Sequence, residues 1–343
     1  MTATKMLPTM GKQKQRRHRA CFSCAHRRRW IALGVIASVL FVLRYAYHYP
    51  RHSVRSVGEG EGWRNLTGLD LDSPPTFEKL WKWEDDLPQH DPDLPFPEGR
   101  MGRYLFFDCQ IQGLGWNNQL NEVLMNAWLA YKSKRAYVFH HYRWKPEYYP
   151  WPERKSPRWP PLTPANALMS GPAVGGPFDP GDNDAPRSVN IKYFNQVCPP
   201  SSRRVINTKE LKSEIRWEAG DVIFSRWEKL LREAPERCIE IQPESQETDG
   251  FPQVFDLFLW GLDRILPLWK GFRDSPISRL LCPSPVVQST VDRNTYLFLP
   301  RGPRPELPVS NNPYDRMLAI HLRRGDFKKA CLDLANWNST FYS

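Results

Sequence analysis

The first 58 residues contain no aspartate and no glutamate; Glu59 is the first acidic side chain of this 343-residue chain. The same stretch holds 12 of the 48 lysines and arginines, so beyond it 36 basic residues face 37 acidic ones. The net charge of +11 therefore belongs to a terminal tail, and a nucleic-acid-binding domain argued from overall charge is excluded. An internal repeat is also absent. So is a long uncharged run: the apolar stretch Trp30–Leu43 covers only fourteen residues, the length of a signal-peptide core. No small-residue cleavage site follows it, however. Arg44-Tyr45-Ala46-Tyr47-His48-Tyr49 follows instead, with side chains suited to a membrane interface.

Residues 1–29 thus read as a cytosolic basic tail and 30–49 as a single transmembrane signal anchor. As a helix that anchor is about 30 Å long. The positive-inside rule puts the rest of the chain in the lumen of the ER or Golgi, as a type II membrane protein. Cysteine is sparse, at seven residues. His18, Cys21, Cys24 and His26 have a metal-like spacing, but a lone CxxC with no second ligand pair is weak, and acylation of Cys21 or Cys24 is the better reading. In an oxidising lumen Cys109, Cys198, Cys238, Cys282 and Cys331 would make two disulfides with one thiol left over. Asn65-Leu66-Thr67 and Asn338-Ser339-Thr340 are glycosylation acceptors in that setting.

Residues 50–100, polar and rich in glycine and proline, read as a stem. Tyr104–Cys109 is an apolar run that suits a buried strand, and Gly113-Leu114-Gly115 a tight turn. Leu120, Val123, Leu124, Ala127, Trp128 and Tyr131 then form one stripe of a helix, capped by Asn117 or Asn118, before a second strand at Ala136–His140. This is a β-α-β unit whose turn offers backbone N–H groups to a polar ligand, although such glycines serve the turn alone about as often. Residues 142–186 form an excursion dense in proline and tryptophan that excludes a helix or central strand. Further on, Asp221–Arg232 reads as a helix, Arg237–Ile241 as a strand and Val254–Trp269 as a helix with Leu257, Leu262, Leu266 and Trp269 in the core. Met317–Leu322 reads as a short buried strand.

Arg323, Arg324 and Asp326 sit just beyond that last strand, in "HLRRGDF". In open α/β sheets ligands bind beyond the carboxyl ends of strands, and guanidinium groups there suit a diphosphate. An adhesive Arg-Gly-Asp would need an exposed loop tip, and a structural Arg–Asp326 salt bridge is the plain alternative.

"HLRRGDF", taken with "GLGWNNQ" some 200 residues earlier, resembles the GDP-fucose protein O-fucosyltransferase family, in its fungal-type branch. The resemblance spans roughly Tyr104 to the carboxyl terminus. It implies an α/β, GT-B-like architecture: an N-terminal Rossmann-like domain over 101–310 and the start of a second, donor-binding Rossmann-like domain over 311–343. It further implies inverting, metal-independent transfer of fucose from GDP-fucose to a serine or threonine of a secretory-pathway protein, with no cofactor. Arg323 matches the arginine that holds the donor's β-phosphate and offsets charge as GDP departs. Gly113, Gly115, Asn117, Asn118, His321, Arg324 and Asp326 match donor-site positions. Leu114 stands where some relatives have a glutamate proposed as base, so either another group such as Asp108 takes the acceptor proton or the departing phosphate does. Only 17 residues follow Asp326, so the second domain is expected to be incomplete. The alternatives are a GDP-fucose transferase acting on a glycan and a non-catalytic membrane-anchored fragment.

Overall fold

The computed structural model describes residues 75–112, 114–144, 162–182, 185–245, 249–256, 259, 263–297, 318 and 320. In chain order the elements that matter are α1 (Phe77–Asp85), β1 (Tyr104–Phe107), α2 (Trp116–Lys132), β2 (Ala136–Phe139), β3 (Val189–Asn190), α3 (Ile191–Val197), β4 (Arg203–Asn207), α4 (Lys209–Ile215), α5 (Gly220–Glu233), β5 (Cys238–Gln242) and α6 (Leu266–Asp274).

The five strands form one parallel sheet in the order β3-β2-β1-β5-β4. The chain steps outward from β1 to β3, crosses to the far edge at β4, and returns to lie beside β1. Parallel sheets are covered on both faces, which is why these strands read as unbroken apolar runs rather than alternating ones. Successive side chains still point to opposite faces. Leu105, Phe107, Tyr137, Phe139, Ile239 and Ile241 join the larger core, under α2, α5 and α6. Tyr104, Phe106, Ala136, Val138 and Cys238 join a smaller core under Tyr193, Phe194 and Val197 of α3. In the larger core the Trp128 ring lies 4.2 Å from Phe224 and 5.8 Å from Phe272, centroid to centroid. The smaller one is closed by a Cys198–Cys238 disulfide, which ties the end of α3 to the start of β5 across 40 residues. A cross-link over a loop of that length contributes about 4 kcal/mol by restricting the unfolded chain.

This is an α/β domain of the kind a Rossmann-like half has. The expected β-α-β unit is present, with Val123, Leu124, Ala127 and Trp128 buried and Leu120 and Tyr131 packed against the same core. Several expectations need correction. The helix cap is Gly115 rather than an asparagine: Asn118 and Gln119 donate backbone N–H groups to the Gly115 carbonyl, which places Asn117 and Asn118 inside the first turn. Within the expected stem, Phe77–Asp85 is a helix with Leu80 and Glu84 buried, and Gln89 donates to the carbonyls of Gly175 and Ser188. The proposed helix 254–269 is not helical at 254–256. Asp256 accepts the Leu259 N–H through Oδ1, Leu259 is helical, Asp263–Ile265 is a 3-10 turn, and α6 starts at Leu266 with a proline in its first turn, while Leu257 and Leu262 lie outside the described residues. Leu266 and Trp269 consequently face solvent, while Val254, Phe255, Leu259, Leu268 and Phe272 fill the core.

Leu318 and Ile320, the two described residues of the buried strand expected at 317–322, are 85% and 70% exposed and carry no strand assignment, so the expected burial is not found at these two positions; the rest of that strand lies outside the described residues. The two-disulfide expectation is met by one bond among the described residues, with Cys109 buried and free and Cys282 exposed and free. Cys331, the tail cysteines, the anchor 30–49, Asn65 and Asn338 lie outside the described residues. No described helix is long and apolar enough to cross a membrane.

Candidate functional site

At the carboxyl ends of β1 and β5, where the chain order reverses, an open cleft of about 500 Å³ is walled by two segments. Such a reversal is where ligands bind in open α/β sheets. One wall is the loop that leaves β1, with Asp108, Gln110, Gln112 and Leu114. The other follows β5 and contains Phe251 and Gln253, while Arg143 closes a side.

The β1 wall is stapled to α2. Glu122, fully buried, accepts the Ile111 N–H at 2.6 Å through Oε2. One turn earlier Gln119 donates from Nε2 to the Leu114 carbonyl at 2.6 Å. The Tyr137 hydroxyl, on β2, donates to Gln110 Oε1 at 2.6 Å, which orients that amide so that its N–H groups remain as donors. Burial pushes the Glu122 carboxyl up to about 8, against the pull of the Ile111 N–H and Asn126, so it is mostly protonated at neutral pH. The neighbouring Cys109 thiol and Tyr137 hydroxyl are raised by burial as well. His140 donates from Nε2 to the Phe107 carbonyl at 2.9 Å, and burial lowers it to about 4, so it is neutral.

The β5 wall is held by charge instead. Lys212, buried on α4, lies 2.9 Å from Asp249 and 3.5 Å from Asp256 and donates to the Phe251 carbonyl. Asp249 also pairs with Arg216 at 3.1 Å and accepts the Phe251 N–H at 2.9 Å. Burial works to raise the Asp249 carboxyl, but Lys212, the Phe251 N–H and Arg216 outweigh it and hold it below its usual range.

Asp108 opens onto the cleft. Its carboxyl is raised by burial and by Glu240, with Arg203 opposing. A carboxylate raised in this way is better suited to taking a proton than an unperturbed one.

Of the residues chosen from the sequence, Gly115, Asn117 and Asn118 are exposed where α2 opens, next to the Leu114 rim. A Cβ at Gly115 would meet nothing within 4 Å, so this glycine leaves open space rather than relieving a clash. Gly113, His321, Arg323, Arg324 and Asp326 lie outside the described residues. Among those described, no cluster of three or more His, Cys, Asp or Glu side chains is placed to hold a metal ion. Sequence reasoning missed Glu122, Lys212, Asp249 and Phe251. One signal was present: Gln119, Glu122 and Asn126 fall at i, i+3 and i+7, a polar stripe beside the apolar one. No protein-family model, curated protein or solved structure matches the chain.

Proposed function

We propose that the chain is a fucosyltransferase that uses GDP-fucose and modifies a serine or threonine of a secretory-pathway protein, in a GT-B-like arrangement, from an anchored position in the ER or Golgi lumen. The observation that carries this reading is the place of the "GLGWNNQ" stretch. Its described part, Leu114–Gln119, leaves the carboxyl end of β1 and borders the open cleft at the reversal of strand order. The "HLRRGDF" signature supplies the second motif. The Cys198–Cys238 bond is in keeping with an oxidising compartment.

In this reading Arg323 holds the donor's β-phosphate and stabilises charge that grows as the bond from the sugar to phosphate breaks. His321, Arg324 and Asp326 shape the donor site around it, Gly113 and Gly115 form its loop, and Asn117 or Asn118 faces the reacting sugar. The acceptor oxygen bonds to the anomeric carbon, GDP leaves, and the hydroxyl proton passes to Asp108 or to a departing phosphate oxygen. Leu114 cannot take it.

The test is ligand-induced thermal stabilisation of the full chain by GDP, GDP-fucose and GDP-mannose, with and without EDTA. Stabilisation that survives EDTA and is lost in Arg323→Ala supports the reading. A folded protein that none of the three stabilises overturns it and favours a non-catalytic anchored protein. Incubation with GDP-fucose and either a folded protein domain or a free N-glycan separates the protein acceptor from the glycan one.

A further inference from the structure

The β5 wall of the cleft ends in an exposed aromatic ring whose backbone is gripped from both sides. Phe251 is 37% exposed and lines the cleft. Its N–H donates to Asp249 Oδ1 at 2.9 Å, and its carbonyl accepts from the Lys212 ammonium. Lys212 and Asp249 are themselves paired at 2.9 Å, with side chains 7% and 3% exposed. Burying ions is costly, and an apolar cluster of similar volume would stabilise this spot as well or better. What the ions add is a fixed position for the peptide groups on either side of Phe251. Such support is characteristic of a side chain that must present one face to a ligand.

The groups around the ring match a particular kind of ligand. Gln110 offers amide donors whose orientation Tyr137 sets. Asp108 adds a carboxylate acceptor. Donors and acceptors spread around one apolar face suit a ring that is polar at its rim and apolar on its face, which is a pyranose.

We propose that Phe251 is a ligand-contacting residue of the cleft, a platform on which the ring of a sugar stacks, held in place by the Lys212–Asp249 pair. The proposal rests on the sugar-transfer reading for its choice of ligand, which is the fucose of the donor.

The experiment uses the full chain, wild type beside Phe251→Ala and Phe251→Trp, titrated with GDP, GDP-fucose and a methyl fucoside. For a donor sugar, Phe251→Ala leaves the affinity for GDP unchanged, weakens that for GDP-fucose roughly tenfold, and Phe251→Trp restores it. The methyl fucoside, the same sugar without the nucleotide, should lose affinity for the alanine variant in parallel. That result supports the platform. A Phe251→Ala protein with the wild-type melting temperature and unchanged affinity for both sugar ligands overturns it, as does a wild type that binds neither. Failure of GDP alone to bind, with the methyl fucoside still dependent on Phe251, counts against the donor reading and leaves the platform standing. Lys212→Met supplies the second check: it should weaken sugar binding in the same direction while Phe251 is intact.

Discussion

The two walls of the cleft are built on opposite electrostatic principles. The β1 wall is fastened by groups that carry little or no charge at neutral pH: a protonated Glu122, a neutral His140, and the amides of Gln110 and Gln119. The β5 wall is fastened by Lys212, Arg216, Asp249 and Asp256, two cations against two anions. The difference follows from surroundings. Glu122 lies near Cys109 and Tyr137 and forms no ion pair among the described residues; Lys212 lowers it only weakly, so burial wins and its proton stays. Asp249 has a lysine and an arginine within 3.1 Å, so ionisation wins. Burial of a carboxyl thus leads to either form, and the nearest cation decides which.

The largest effect expected is at the charged wall. Lys212→Met removes the ammonium and leaves Asp256 buried without it, which should cost about 3 kcal/mol of unfolding free energy in urea titration. The double replacement Lys212→Met with Asp249→Asn should cost less than the two single changes added together. Strict additivity would show that the pair does not act as a unit.

Glu122→Gln tests the neutral wall with the opposite sign. The folded carboxyl is raised to about 8 from an unfolded value near 4.5, so its contribution is fully present below pH 4.5 and is lost as pH rises through 8. Glutamine keeps an acceptor for the Ile111 N–H and cannot ionise. The variant should match wild type at pH 5 and exceed it by on the order of 2 kcal/mol at pH 9. A variant that is less stable at both pH values would mean that the carboxyl is ionised in the fold and paired in some other way.

How far these walls were legible in the sequence differs between them for the same physical reason. Around β1, strand and helix announce themselves by local periodicity, so Tyr104–Phe107, the stripe on α2 and Ala136–Phe139 were readable. The β5 wall is made by pairing over distance. Lys212 reads as one more lysine in a polar helix, and nothing local tells that Asp249 and Asp256 will close on it. Strands β3 and β4 were missed because Val189–Asn190 is two residues long and Arg203–Asn207 carries two arginines on a sheet edge, one paired with Glu240 and the other with Glu236. At 254–269 the apolar residues are close to continuous, and such a run has no period to show that 254–256 is not helical or that Asp263–Ile265 tightens to a 3-10 turn. Helix α1 was lost inside a proline-rich composition, although Thr76 caps it in the ordinary way.

His140 gives a smaller test on the neutral wall. Its folded value of about 4 lies below an ordinary 6.5, so the neutral ring contributes stability above pH 6.5 that is lost as pH falls toward 4. The part-exposed ring weakens the full linkage, leaving about 1 to 2 kcal/mol across that window. His140→Gln, which retains a donor for the Phe107 carbonyl, should flatten the acid limb of the stability curve between pH 6.5 and 4. An unchanged acid limb would assign that limb to other groups, with His90 the first to examine, since burial lowers it too.

The smallest effect expected is Gln119→Met. It removes one amide donor to the Leu114 carbonyl, where the Tyr142 hydroxyl at 3.4 Å can compensate only in part, and should cost about 1 kcal/mol. Its value lies in the contrast with Lys212→Met. Gln119 fixes the rim that carries the asparagine turn, so its loss should disturb ligand binding more than stability, whereas Lys212 should disturb both. If Gln119→Met leaves affinity for GDP-fucose untouched while Lys212→Met abolishes it, the charged wall alone forms the binding surface. The rim at Leu114 would then be a structural turn, as glycine turns of this kind often are.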